Sequence, residues 1–223
     1  MRAQIGYLLS GAEKARGAGV LIDVFRSSNT MLAMLDRGAE EIVQVKEVQD
    51  ALVLKRRNPD WLLFGERDGE PPVGFDHGNS PVEASGLSLH GRTTILRTSA
   101  GSAGIWAMRH IKEIVIASFA NAEAVVRYLK KNTGPDAEVT LAAIGKEAVE
   151  RAPEDDLCAQ YILDRLLDTS VDYGAIKAQL LASHTAQRLR NRDQQDDLDF
   201  CLRLDIFDTV PRVHWGEKGA VVR

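Results

Sequence analysis

The sequence predicts an α/β fold: a layered α/β/α sandwich around a largely parallel or mixed sheet, with a helical C-terminal part. Three observations predict it. Short apolar runs rich in Val and Ile recur along the chain, stretches with helical spacing separate them, and after Gly145 the pattern becomes mostly helical. With 223 residues, 44% of them hydrophobic, the chain can bury a substantial core. It reads as one domain over residues 1–223, with a weak subdivision near 145–153.

The strand signals are GVLIDVF, EIVQV, WLLF, TTILRT, EIVIAS and EVTLAAI, each short and β-branched. Between them, SNTMLAMLDRGA, EVQDALVLKRRN, AGSAGIWAMRHI and NAEAVVRYLKKN carry apolar residues at helical intervals. Asn121 is the expected N-cap of the last of these, with Ala124, Val125 and Leu129 on one face. Alternation of strand and helix implies parallel pairing through crossovers. Residues 155–204 are expected to be helical, and TVPRVHWGEKGAVVR to form a turn or hairpin.

Charge and cysteine content exclude several classes. Lys and Arg total 28 against 32 Asp and Glu, a net charge of -4, so no broad basic face invites nucleic acid. The Lys55–Arg57 cluster reads as a solvated helix end. No run approaches the roughly 18 apolar residues of a membrane span, and the N-terminus is a poor signal peptide. Cys158 and Cys201 show no CxxC spacing, which excludes a cysteine zinc site and suits a reducing, cytoplasmic setting.

In α/β sheets functional groups gather beyond the carboxyl ends of the strands. GVLIDVF ends in Asp23, with Arg26, Ser27, Ser28 and Asn29 opening a helix, a combination suited to an anion. WLLF runs into GERDGEPPVGFDHGNSP, with four glycines, three prolines, four acids and one arginine. That loop is too long for an ordinary connection and is a candidate binding loop; it holds Glu66, Arg67, Asp76, His77, Asn79 and Ser80. TTILRT ends in Arg97, Thr98 and Ser99 ahead of a second helix start, EIVIAS in Ser118 and Asn121, and Glu154, Asp155 and Asp156 open a later helix.

Asp23, Glu66, Asp76, Asp155 and Asp156 are thus candidate hard-oxygen ligands, and Arg26, Arg67 and Arg97 candidate anion receptors. Carboxylates with arginines are what Mg²⁺-assisted phosphate-ester chemistry needs. Simpler roles stand beside this one: Ser28, Asn29 and Asp155 as helix caps, Arg26 as a surface residue, Asp76 as a turn cap. Familiar phosphatase and nucleotide signatures are absent. Asp23 is followed by Val-Phe rather than the DxDx[TV] pattern, Cys158 has no arginine at CxxxxxR spacing, and Thr140 stands where GxxxxGK needs its first glycine.

Together these motifs resemble the 2-phosphosulfolactate phosphatase family. The matching pieces are Asp23-Val24-Phe25-Arg26-Ser27-Ser28, Gly65-Glu66-Arg67, Gly74 to Pro81, Thr98 to Ser102, Ser118-Phe119-Ala120-Asn121 and Glu154 to Ala159. They occur in the family's order and lie within residues 19 to 168. The family usually has Asn at the position of Ala100.

The resemblance implies a cytoplasmic, Mg²⁺-dependent phosphatase that converts 2-phospho-3-sulfolactate to sulfolactate, a step toward coenzyme M in methanogens. It implies Asp23, Glu66, Asp76 and Asp155 for metal binding or water activation, and Arg26, Ser27, Arg67, Thr98, Ser99 and Asn121 around the substrate. Asn79 and Ser80 would order the loop or reach the substrate. The expected partners are a small phosphorylated anion and a second copy of the chain, since soluble enzymes commonly form homodimers. A binder of small anions without catalysis, or a homologue acting on another phosphomonoester, is the alternative. Cys158 could serve a covalent route, although packing beside Tyr161 and Ile162 is its simpler role.

Overall fold

The computed structural model describes residues 1–223. The chain begins with β1 (Arg2–Tyr7), α1 (Leu8–Glu13), β2 (Ala18–Ile22), α2 (Ser27–Asp36), β3 (Glu41–Gln44), α3 (Val48–Arg57) and β4 (Leu62–Gly65). It continues through α4 (Pro81–Ser85), β5 (Thr93–Arg97), α5 (Gly101–Ala107), β6 (Glu113–Ala117), a 3₁₀ turn (Phe119–Asn121), α6 (Ala122–Asn132) and β7 (Glu138–Ala143). Four helices follow: α7 (Pro153–Leu166), α8 (Tyr173–Leu181), α9 (His184–Arg190) and α10 (Gln195–Cys201). The hairpin of β8 (Val213–Gly216) and β9 (Gly219–Val222) closes the chain.

The six apolar runs all form strands, as their composition predicts, and the class is α/β. The strands divide into two sheets rather than one. The first, in order β1-β7-β2-β6, is wholly parallel; the second, β4-β5-β3-β9-β8, is parallel through β3 and then antiparallel. Central β2 reads AGVLI and is buried at every position, as a strand covered on both faces must be. The edge strand β1, RAQIGY, is largely exposed, and its mixed polarity gave no strand signal.

Alternation across each strand then builds the layers. Leu21, Ile114, Ile116 and Ala142 of the first sheet share one core with Ile42, Phe64, Leu96 and Val222 of the second, together with residues of α1, α2, α4 and α5. The opposite face of the first sheet, through Val20, Ile22, Val115 and Leu141, packs on α6, α7 and the C-terminal helices. The outer face of the second sheet, through Leu63 and Ile95, packs on Ala51 of α3. Helix α5 comes close to β2 because Gly104 has no side chain: a Cβ there would stand 2.6 Å from Leu21 Cδ1.

Asn121 does not cap α6 with its side chain. Its Oδ1 accepts from the Ser118 N–H (2.9 Å), and its Nδ2 donates to the Ile116 and Thr209 carbonyls (3.1 Å each). The 3₁₀ turn ahead of α6 explains the difference, because Ser118 caps that turn and Asn121 closes the box on it. Both cysteines are buried free thiols. No helix is long and apolar enough to cross a membrane.

Candidate active site

The carboxyl ends of β2, β4, β5 and β7 converge on one cleft, so both sheets contribute to it. The cavity measures about 260 Å³ and is lined by Asp23 after β2, Glu66 after β4, Thr98 and Ser99 after β5, and Gly145 after β7. Arg26, Gly69 and Asn79 also line it, and Lys146, Arg188, Arg192 and Gln194 complete the far wall.

Asp23 is buried where β2 meets α2 and α5. Burial first, and then the Glu66 charge, push its carboxyl up to about 7, against the opposing pull of the Ser27 and Gly101 N–H groups. Gly101 is the only residue that fits at the start of α5, since a Cβ there would lie 2.3 Å from Ser27 Oγ and 3.0 Å from Asp23 Oδ2. Glu66 is held by two backbone donors, the Gly69 N–H to Oε2 (2.8 Å) and the Ser99 N–H to Oε1 (2.7 Å). It thereby joins the long loop to the turn after β5. In that turn the Thr98 N–H donates to Ser102 Oγ (3.0 Å), and the Ser102 N–H donates to Thr98 Oγ1 (3.1 Å).

Arg26 is buried and fixed from behind. One guanidinium nitrogen, Nη1, meets Asp197 Oδ2 at 2.6 Å, and Nη2 donates to the Gly69 carbonyl at 3.2 Å. A guanidinium has five N–H donors, so three have no partner in the protein. Asp197 is itself held by Ser80 Oγ (2.6 Å) and the Val82 N–H (3.3 Å), both on its other oxygen.

Several residues expected at the site lie elsewhere. Asp76 turns away: its Oδ2 accepts the Leu63 N–H at 2.7 Å and pairs with Lys55 Nζ at 2.9 Å. Burial works against its charge, but these donors outweigh it and hold the carboxyl below its usual range. Glu66 and Asp76 therefore do not approach one centre. Asp155 lies beneath the cleft with both oxygens occupied, Oδ1 by the Val24 N–H (2.7 Å) and Oδ2 by the Gly145 N–H (2.8 Å). It ties the ends of β2 and β7 together. Burial and then the Asp23 charge raise its carboxyl well above the usual carboxylate range. No group of three or more His, Cys, Asp or Glu side chains gathers as a metal cluster, so the four-carboxylate set does not assemble.

Arg67 is exposed and outside the cleft. Arg97 is spent on the Lys46 and Glu66 carbonyls (2.9 and 2.5 Å). Ser27 is fully buried, 3.3 Å from Thr98 Oγ1, and Ser80 caps α4 by accepting the Glu83 N–H. Asn121 serves the 3₁₀ turn, and Asp156 pairs with Arg151. His77 stacks on Phe64 and pairs with Glu83. Cys158 is a core residue whose thiol burial pushes well up, which takes away its reactivity. The residues that sequence reasoning missed are Lys146, Arg188, Arg192, Gln194 and Asp197. The one local signal for Arg188 and Arg192 was basic residues in a helical region, which reads equally as a solvated face.

Fold and cleft together define an α/β protein with acidic and cationic side chains gathered at strand ends, the arrangement of a site for small phosphorylated anions. The chain belongs to the 2-phosphosulpholactate phosphatase family, whose model matches residues 8–216. It is 34% identical over 206 residues to a protein of Thermotoga petrophila, covering 86% of this chain and 87% of that one. It is 32% identical over 219 residues to one of Carboxydothermus hydrogenoformans (92% and 90% covered), and 30% identical over 210 residues to one of Caldicellulosiruptor saccharolyticus (86% of each). Each of these is named a probable 2-phosphosulfolactate phosphatase.

Proposed function

We propose that this protein is a Mg²⁺-dependent phosphatase that hydrolyses 2-phospho-3-sulfolactate to 3-sulfolactate and phosphate. The observation that carries the reading is the single cleft where the carboxylates of Asp23 and Glu66 face cationic Arg26, Lys146, Arg188 and Arg192. Membership of the family supports it.

The cleft floor fits a divalent cation. Burial, and then the neighbouring Glu66 charge, push the Asp23 carboxyl up to about 7, a situation that a bound cation would relieve. Mg²⁺ needs only one or two protein carboxylates, because it keeps several waters and binds substrate phosphate. Asp23 and Glu66 would hold it, and it would supply charge neutralisation on the phosphoryl oxygens.

The remaining work falls to the chain. Arg26, immobilised by Asp197 and the Gly69 carbonyl, holds phosphoryl oxygens through its free N–H groups. The turn from Thr98 to Ser102 keeps Glu66 and the start of α5 in place. Water attacks phosphorus, the bond from phosphorus to the C2 oxygen breaks, and the water's proton passes to Asp23 and then to that oxygen. The cation would hold Asp23 ionised, as a group that takes the water's proton must be at the start of the step.

Phosphate release should be measured on 2-phospho-3-sulfolactate with Mg²⁺, after EDTA, and after Mg²⁺ is restored. Activity should vanish with EDTA and return with the metal. Full activity in metal-free enzyme would remove Mg²⁺ from the reading. Ala100 lines the cleft without a polar side chain, and this favours the second reading, an anion binder without catalysis. Tight binding of the phosphorylated acid with no phosphate released in Mg²⁺ would establish that alternative. A further variant tests the geometry of the floor. Gly101→Ala places a methyl group against Ser27 and Asp23, and should lower kcat by roughly 100-fold while the fold persists. Wild-type kcat in this variant would show that Asp23 need not be held where it is.

A further inference from the structure

A second cavity, of about 550 Å³, lies beyond the end of β3 and is lined from α3, α5 and the turn between β8 and β9. It shares no lining residue with the cleft. Its volume is that of an ordinary small-molecule site. The charges around it are balanced: Lys46, Arg57 and Lys218 stand with Glu47, Asp50 and Glu217. Of these six, Lys218 alone enters an ion pair, and its partner is Glu41 rather than one of the three acids here.

The apolar part of the lining is Val45, Val53, Leu54 and the Trp106 ring. Trp106 meets Trp215 edge-on, with ring centroids 5.2 Å apart. Its Nε1–H is buried and has no acceptor in the protein. An indole nitrogen is a donor only, and leaving it unpaired is costly, so what the site lacks is an acceptor atom.

We propose that this cavity is a regulatory site for a zwitterionic amino acid with an apolar side chain. A simple anion would meet three carboxylates, and a simple cation would meet three basic groups. A ligand carrying both charges pairs with each set. Its carboxylate supplies the acceptor for Trp106 and faces the basic groups, and its ammonium faces Glu47 and Asp50 at the start of α3. The lining charges are exposed, so each adds little, and burial of the side chain on the apolar wall carries much of the affinity.

The regulatory role rests on the phosphatase reading above and on two hydrogen-bonded links from this cavity to the cleft. Gln44 Oε1 accepts from Ser102 Oγ at 3.2 Å, and that hydroxyl accepts the Thr98 N–H. The Lys46 carbonyl accepts from Arg97 Nε at 2.9 Å, and Arg97 Nη1 donates to the Glu66 carbonyl. A ligand that shifts Gln44 or Lys46 therefore acts on the turn and the strand end that hold Glu66 in place.

The Mg²⁺-loaded enzyme should be titrated calorimetrically with L-leucine, L-methionine, L-phenylalanine and L-tryptophan. At least one should bind at a single site with Kd below about 1 mM. The best ligand stripped of its carboxylate, or of its amino group, should bind at least about 10-fold more weakly. Trp106→Phe keeps a ring without the N–H and should weaken binding roughly 5- to 10-fold, and Asp50→Asn should weaken it as well. Saturating ligand should change kcat/KM on 2-phospho-3-sulfolactate by about 5-fold or more, and Gln44→Met should blunt that change while binding persists. No heat from any of the four at about 10 mM, equal binding of the stripped analogues, or wild-type affinity in both variants would overturn the site. Binding with unchanged kcat/KM would overturn its regulatory role. A wild type that releases no phosphate would refute the phosphatase reading instead, and the titrations would still decide the site.

Discussion

Asp23→Asn should reduce kcat by about 10³-fold or more and yet make the metal-free protein more stable above neutral pH. The first effect follows from the proposed roles of Asp23, which would both face the cation and move the proton. The second follows from the buried carboxyl, pushed up to about 7 from 3.8 by desolvation and by Glu66. Between those values the native protein holds a proton that the unfolded chain has released. Stability contributed by this group is therefore present at low pH and is lost as pH rises from about 4 through 7. A shift of this size corresponds to a few kcal/mol, on the order of 1.4 per pH unit.

Asparagine has no such charge, so the variant should melt above the wild type at pH 8, and the gap should close toward pH 4. Asp155 adds to the same trend, since Asp23 is one of the charges that raise it. Mg²⁺ should raise the melting temperature of the wild type at pH 8 and have little effect on the variant. A variant no more stable than the wild type at pH 8 would show that the Asp23 carboxyl is not under strain. Retained activity would remove it from the mechanism.

The second large effect belongs to Asp197. Its oxygens are fully used, Oδ2 by Arg26 and Oδ1 by Ser80 and the Val82 N–H. In Asp197→Asn one oxygen becomes an NH₂ group that faces another donor, and Arg26 stays buried without its counter-charge. Breaking a buried pair in this way costs about 3 kcal/mol, which for a chain of this size lowers the melting temperature by roughly 10 °C. Arg26, proposed to hold the phosphate, should also lose its aim, with kcat/KM falling roughly 10- to 100-fold. If Asp197 acts through Arg26, the kinetic loss in Arg26→Lys should be barely deepened by adding Asp197→Asn. Additive losses, or a lowered melting temperature with unchanged kcat/KM, would make Asp197 a structural clasp between α10 and α4.

The contrast between these two residues shows what could be read in the chain. Asp23 was visible because a carboxylate at the end of an apolar run is costly and invites a partner. Asp197 was invisible because an acid among Gln195, Asp196 and Asp199 looks like one turn of a solvated helix. Asp76 shows the opposite failure. Its loop neighbours Asn79 and Gly69 do line the cleft, but Lys55, from the preceding helix, draws its carboxylate away. No spacing rule within the loop reports where Lys55 will stand.

Taken by itself, the sequence determined the six strands β2 to β7, the helices that alternate with them, the α/β class and the strand-end residues Asp23, Arg26, Glu66, Asn79, Thr98 and Ser99. These are local properties: β-branched apolar runs, helical periodicity, and turn-forming residues where a strand stops. Tertiary structure alone decided that the strands form two sheets, that β9 pairs antiparallel with β3, that α9 and the turn after it carry Arg188 and Arg192 to the cleft, and that α10 sets Asp197 against Arg26. It also decided which carboxylates line the cleft, Asp23 and Glu66, and which lie outside it, Asp76 and Asp155. The physical reason is sequence separation. The Arg26–Asp197 pair joins positions 171 residues apart, and contacts of that range depend on how the layers pack rather than on any pattern along the chain.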